Sequence, residues 1–353
     1  MTWIPLLLAD PSPCLRWLVL HDLLNLPEDH PELQELAALR PADPLVQELL
    51  ALQEADGSFR PSTQVFGRSA SRLLSTALAL ERLGYLGLDG RFEPIGRAAE
   101  YLFAHQQRDG SWPLTIYGEI ELEEEESKPA PARQQDFMIP LQTAFPLGGL
   151  AACGYARDGR AERAYEWLLA QRLPDGAWPT GIASGVYRYV AGYRRLPHSR
   201  WGCRSNTTGS LLCLARHPER CHSPAARGAL DHLLGRETRE AYALGFQVAR
   251  LLGAEPAHGF ITFFARFDLA LVLDLCRRVG VSTSDERLAD LLQFVRSLQG
   301  RYGLWEYPAR PQVARWVTFD LLRSLGSLGE REDWISLQPR TPFQPYPRRP
   351  RRF

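Results

Sequence analysis

One phrase recurs along this chain and constrains its architecture more than any other feature. It reads Gln53-Glu-Ala-Asp-Gly57-Ser-Phe59, then Gln106-Gln-Arg-Asp-Gly110-Ser-Trp112, then Gln171-Arg-Leu-Pro-Asp-Gly176-Ala-Trp178, and last Gln299-Gly-Arg-Tyr-Gly303-Leu-Trp305. The shared pattern is a glutamine, three or four residues, a glycine, one residue and an aromatic ring. The glutamines stand 53, 65 and 128 residues apart, so the last interval is two units of 64 and a worn copy is expected near residue 236. His232-Leu-Leu-Gly-Arg236 falls there, where Trp167-Leu-Leu-Ala-Gln171 falls one unit earlier. Repeats of fixed period stack as supersecondary units that bury a common core.

Each unit carries two helical patterns. Before the glutamine runs an amphipathic segment, such as Arg97–His105 or Arg163–Ala170, with apolar residues at spacings of three and four. After the aromatic residue comes a more apolar helix, as in Leu73–Leu80, Leu147–Cys153 and Phe267–Leu275. A helix apolar on most sides is buried. An amphipathic outer ring around an apolar inner ring is an all-α, α/α toroid. Five inner helices are expected to begin near residues 69, 140, 203, 262 and 314, with the segment 12–25 adding a helix that helps close the ring. The glycine of the phrase stops the outer helix or supplies a positive-φ turn. We assign residues 1–338 to one toroid domain and 339–353 to a disordered Pro/Arg-rich tail.

With 353 residues and 45% hydrophobic positions, the chain can bury a large core. A formal net charge of +0 gives no electrostatic case for binding nucleic acid. Of the 41 basic residues only Lys128 is a lysine, and it sits in a charged loop, which sets lysine-based covalent catalysis aside. The opening segment lacks the pattern of a signal peptide, and no stretch approaches the ~20 apolar residues of a membrane span. The expected location is the cytoplasm. The six scattered cysteines, with no CxxC pair, are expected to be reduced and mostly buried.

The phrase resembles the QW repeat of squalene and oxidosqualene cyclases, present in looser form in protein prenyltransferase β-subunits. The fit covers roughly residues 45–330. The opening Pro13–Leu24, followed by the first repeat, is also similar to bacterial proteins of this length that carry a prenyltransferase-like toroid. The resemblance implies the toroid fold and an isoprenoid or other lipid-like ligand in its central cavity. The families' catalytic motifs do not carry over. Class II terpene cyclases protonate their substrate with a DxDD aspartate, and no DxDD occurs here. Prenyltransferases hold zinc with Asp-x-Cys and a His. Here Trp201-Gly-Cys203 keeps only the cysteine, and the next inner segment, Phe263–Arg266, has no His. Cys203, Cys221 and His222 lie on either side of one helix, so no metal and no cofactor are expected.

Aligning the inner helices on Leu80, Leu150, Leu214, Leu275 and Leu325 places Leu73, Thr143, Thr207, Asp268 and Thr318 in one layer. Arg72, Gln142, Asn206, Phe267 and Val317 fall one residue earlier. Two readings stand. The layer is a cavity floor with a carboxylate, or small residues pack near the axis while threonines cap and back-bond their own helices. The connections from aromatic to inner helix are about ten residues in the first and last units and about 25 in the three middle ones, and all emerge at the inner-helix N-terminal end. One connection, 185–201, is rich in Tyr and Arg. Another, 119–126, is acidic and reads as a solvated loop.

The candidate site therefore lies at that end. Asp268 is the candidate catalytic acid, provided that burial raises its pKa and no ion pair with Arg266 or Arg315 ties it up. Tyr187, Tyr189, Trp201, Arg204, Asn206, Thr207, Arg266, Phe267, Arg315 and Trp316 are the candidate ligand contacts. If the chain is an enzyme, it is of terpene cyclase or prenyltransferase kind. The alternative is a non-catalytic scaffold that offers its loop end to a protein partner. A filled central channel would favour the scaffold, and an apolar cavity above roughly 300 Å³ ending in polar groups would favour a ligand.

Overall fold

In the computed structural model the described residues are 3–66, 71–112, 138–180, 182–183, 186–187, 194–196, 198–235, 242–256, 261–300 and 302–327. They form an all-α toroid. The N-terminal segment supplies α1 (Trp3–Leu8), α2 (Pro13–Leu18) continuing into a π turn (Val19–Leu23), α3 (Pro31–Leu39) and α4 (Pro44–Leu50). The inner helices are α5 (Arg72–Tyr85), α7 (Pro140–Ala152), α9 (Arg204–Arg216), α12 (Leu269–Val279) and α14 (Ala314–Ser327). The outer helices are α6 (Glu93–Ala104), α8 (Gly159–Ala170), α10 (Pro224–Leu234) and α13 (Glu286–Ser297). A short α11 (Phe246–Leu251) lies between α10 and α12.

The two rings follow from hydrophobic spacing. Outer helix α8 buries Ala161, Ala164, Tyr165 and Leu168, and α13 buries Leu288, Leu291, Leu292 and Val295, one stripe each. Inner helix α7 is buried from Pro140 through Ala151, and α9 from Arg204 through Ala215. Starts are set by local chemistry: Ser71, Asp158, Ser223 and Asp285 accept N-terminal amides, and Pro94, Pro140 and Pro224 stand in first turns. Neighbouring inner helices approach closely where residues are small. A Cβ on Gly149 would lie 2.5 Å from the Ala77 carbonyl oxygen.

The phrase is a three-point joint. The indole Nε1 of Trp112, Trp178 and Trp305 donates to the outer-helix carbonyl ten residues back, that of Leu102 (2.8 Å), Leu168 (2.7 Å) and Val295 (2.7 Å). The backbone N–H of the aromatic residue donates to an inner-helix threonine: Phe59 to Thr76, Trp112 to Thr143, Trp178 to Thr207 and Trp305 to Thr318, at 2.9–3.2 Å. The glutamine reaches the next outer helix. Gln53 Nε2 donates to the carbonyls of Gly57 (3.2 Å) and Pro94 (2.8 Å), and Gln106 Nε2 to those of Gly110 (3.0 Å) and Arg160 (2.9 Å). Gly57 and Gly110 have φ of 87° and 93°, and a Cβ on either would sit 2.4 Å from a carbonyl oxygen of that next helix.

Four inner helices begin where expected, within three residues. The fourth does not: residues 261–264 form a 3₁₀ turn and α12 starts at Leu269, not near 262. The first unit's layer residue is Thr76 rather than Leu73. Thr76, Thr143, Thr207 and Thr318 each stand nine residues before the last residue of their helix, and α5 runs five residues past Leu80. The ring closes where α14 packs on Val19–Leu23 and Trp316 meets Tyr85 with ring centroids 5.7 Å apart. The few strand pairs are two residues long: Ile182–Ala183 antiparallel to Val186–Tyr187, and Tyr242–Ala243 parallel to Phe267–Asp268.

Candidate functional site

The polar layer at the inner-helix N-termini is occupied by the fold itself. The threonine hydroxyls, Thr207 included, receive the aromatic N–H groups described above. Asn206 is fully buried; its Oδ1 accepts the N–H of Leu141 at 3.0 Å, while its Nδ2 has no hydrogen-bond partner among the described residues. Asp268 is the N-cap of α12, its carboxylate accepting the N–H groups of Gly245 (2.9 Å), Gln247 (2.5 Å) and Ala270 (3.1 Å). Burial pushes its pKa up, against the pull of those amides and of Arg250. The expected ion pairs are not the ones made: Arg315 binds Asp10 at 3.3 Å, and Arg266 stacks on the Phe246 ring at 3.8 Å. Asp268 thus does for the fourth unit, which lacks the aromatic phrase, what the threonines do elsewhere.

The other candidates are dispersed. Arg204 donates to the Ala265 carbonyl at 3.1 Å and lies over the buried Phe267 ring. Trp201 packs on the core edge, and Trp316 is buried against Tyr85. Tyr187 belongs to the short strand Val186–Tyr187. Tyr189, Lys128, the acidic run 119–126 and the tail 339–353 lie outside the described residues. Cys203 caps the start of α9, whereas Cys221 and His222 follow its end. That helix of 13 residues spans about 20 Å, too far for a shared metal.

Among the described residues, α11 and the turn Ile261–Phe264 fill the N-terminal half of the central channel. Helix α11 touches both α5 and α14. Phe263 and Phe264 meet Phe145 of α7 at 5.0 and 5.7 Å between ring centroids, and a Cβ on Gly209 of α9 would lie 3.4 Å from Phe264. A segment that touches four inner helices at once lies inside the ring. Arg250 is buried between the Phe246 and Phe263 rings, 4.2 and 4.4 Å from their centroids, and Arg82 Nε donates to the Leu251 carbonyl at 2.8 Å.

Beyond this plug, at the C-terminal end of the inner helices, lies a cavity of about 290 Å³. Val248, Leu251 and Gln247 of α11 form one wall, and Trp17, His21 and Asp22 of the N-terminal segment another. Tyr85, Arg216, Asp274, Arg278, Asp320 and Arg323 reach it from the inner helices, with Leu212 and Leu271 between them. The charges are interlocked. Asp274 binds Arg277 (2.7 Å) and Arg278 (2.6 Å), Arg323 binds Asp320 (2.9 Å) and Asp22 (3.4 Å), and Arg216 binds Glu81 (3.0 Å). Burial alone would raise Asp274, but Arg278, Arg277 and Arg323 hold its carboxyl well below the usual range. Burial pushes Asp320 up to about 6, despite the opposing pull of Arg323. Burial, with Asp320 nearby, also drives Tyr85 well above its ordinary value.

Sequence reasoning missed these residues, although a signal was present. Asp274 with Arg277 and Arg278, and Asp320 with Arg323, are acid–base pairs at helical spacing inside apolar inner helices, where charge needs a reason.

Residues 35–189 match the model of the squalene-hopene cyclase C-terminal domain. Among solved structures, the type II terpene cyclase MstE from Scytonema is similar at 15% identity over 80% of this chain and 95% of that one, with a TM-score of 0.31. A variant of it in complex with geranylgeranyl dihydroxybenzoate, its substrate, matches at 15% identity over 80% of this chain and 94% of that one, with a TM-score of 0.32. A protein from Actinoplanes matches at 15% identity over 83% of this chain and 99% of that one, also with a TM-score of 0.32. No curated protein matches the chain. The molecule is a squalene cyclase-like all-α toroid, and its match to the squalene-hopene cyclase C-terminal domain lies in residues 35–189.

Proposed function

We propose that this toroid is terpenoid cyclase-like in function and binds an isoprenoid or other lipid-like small molecule at the inner-helix C-terminal end of its channel. The observation that carries the reading is the cavity of about 290 Å³ beyond the α11 plug. Its size falls just under the ~300–1,000 Å³ of ligand pockets, and its apolar walls alternate with a dense set of polar and charged groups. Leu212, Val248, Leu251, Leu271 and the Trp17 ring suit a short hydrocarbon. Asp320 is the acid to test for catalysis. A carboxyl near 6 keeps a protonated fraction close to neutral pH, which a general acid requires. Asp268 is not carried forward, because backbone amides engage both its oxygens.

The test is organic extraction of the purified full chain followed by mass spectrometry, beside Leu271→Trp, which fills the cavity. The expected result is a lipid-like molecule retained by the parent chain and lost from a variant with an unchanged melt. Equal retention by both proteins would refute the cavity as the site. Retention by neither, with added isoprenoids also failing to bind the parent, would favour the scaffold reading.

A further inference from the structure

The polar groups of the cavity divide into two kinds. Asp274, Asp320, Arg323, Arg216 and Asp22 are engaged in the ion pairs described above. Tyr85 Oη and Gln247 Nε2 are different: neither buried atom makes a hydrogen bond of normal length among the described residues, and the only acceptor that Tyr85 approaches is the Asp320 carboxyl. Both side chains border the same cavity. Gln247 is 6% exposed, and its backbone is pinned by Asp268, so the side chain leaves a fixed point. Tyr85 is held in place by its contact with Trp316. A third donor adjoins them, since Arg278 borders the cavity and engages Asp274 through Nε at 2.6 Å.

A buried donor left unpaired forfeits its solvation with nothing in return, so natural structures supply it with an acceptor. Here the donors come from the end of α5, from the α11 plug and from α12, and the space between them is the cavity. A hydroxyl offers two lone pairs and competes with its own proton. A carboxylate is acceptor-only, with two oxygens and about four lone-pair sites, and it suits donors on separate elements together with a guanidinium.

We propose that the cavity takes its ligand by a carboxylate head group, held by Tyr85 Oη and Gln247 Nε2 beside Arg278. The inference rests on the ligand-binding reading above and adds the chemistry of the ligand's polar end. Either an isoprenoid acid or a short free acid could supply that group.

Calorimetric titration of the full chain with geranic acid, geraniol and isovalerate separates the cases. Geranic acid should bind at least about tenfold more tightly than geraniol, the worth of a charge-assisted hydrogen bond. Gln247→Leu and Tyr85→Phe, which add no charge and keep most of the side-chain volume, should each weaken geranic acid about tenfold and leave geraniol unchanged. Equal binding of acid and alcohol, both abolished by Leu271→Trp, would overturn the carboxylate inference alone and leave the cavity as a lipid site. Variants that bind the acid as the parent does would also overturn it. Isovalerate binding as tightly as geranic acid would uphold the carboxylate and remove the lipid. Failure of all three ligands to bind would overturn both readings.

Discussion

Replacing Trp112 by alanine tests the joint that makes this chain a toroid. The ring is fully buried, packs on Phe103 with centroids 6.4 Å apart, and donates Nε1 to the Leu102 carbonyl at 2.8 Å. Its own N–H is held by Thr143 at 3.2 Å, so the residue links α6 to α7. Truncating a buried aromatic to alanine costs about 3–5 kcal/mol through lost transfer energy and the cavity left behind. The Leu102 carbonyl also accepts the His105 N–H, so the lost indole bond adds little beyond that range. The melting temperature should fall by roughly 5–15 °C. Thr143→Val, which leaves the ring and strands its N–H, should cost less, about 1–2 kcal/mol. Melts followed by circular dichroism read both. A Trp112→Ala melt within 1–2 °C of the parent, or a Thr143→Val loss as large as that of the tryptophan, would refute the joint.

Three further outcomes follow from the same structure. Gly110→Ala should destabilise by about 2–4 kcal/mol in chemical denaturation, because φ is 93° and the new Cβ would meet the Arg163 carbonyl oxygen at 2.4 Å. Asp268→Ala should cost about 2–4 kcal/mol as a lost buried cap, and Asp268→Asn somewhat less, since one oxygen still accepts while the new amide faces the Gln247 N–H; no loss in either variant would contradict the capping role. Asp320 has its folded pKa raised to about 6 from an ordinary value near 4, so the folded state binds its proton more tightly. Its contribution to stability is therefore present below pH ~4 and lost as pH rises toward ~6. Relative to the parent, Asp320→Asn should gain stability across that window, and a pH-independent difference between the two melts would rule the shift out.

Much of the fold was legible because the joint is encoded locally. Gln, Gly and the aromatic residue recur as one short phrase, although the glutamine's partners on the next outer helix, Pro94 and Arg160, lie 41 and 54 residues away. The threonine layer was visible as well, but its purpose was not. A threonine in an apolar helix looks alike whether it faces a ligand or a backbone N–H, and its partner lies 13 to 31 residues away in sequence. Leu73 took the place of Thr76 because nothing in the pattern shows that α5 continues past Leu80 to Tyr85. Asp268 was the odd member of the layer for a physical reason. The fourth unit has exchanged its aromatic phrase for α11, which enters the ring and needs a carboxylate to hold its first amides. The plug itself was illegible, since insertion of Phe246–Leu251 along the axis depends on contacts such as that of Leu251 with Arg82, 169 residues away in sequence. It leaves the cavity at the inner-helix C-terminal end, where we propose that a ligand binds.

The most direct test of this arrangement is to locate a ligand. A crystal structure of the full chain grown with geranic acid or geraniol should show the isoprenoid between Trp17, Tyr85 and Val248, with α11 in place. Density at the opposite end, between Asn206, Arg266 and Asp268, or a ligand that enters only with α11 displaced, would contradict the account.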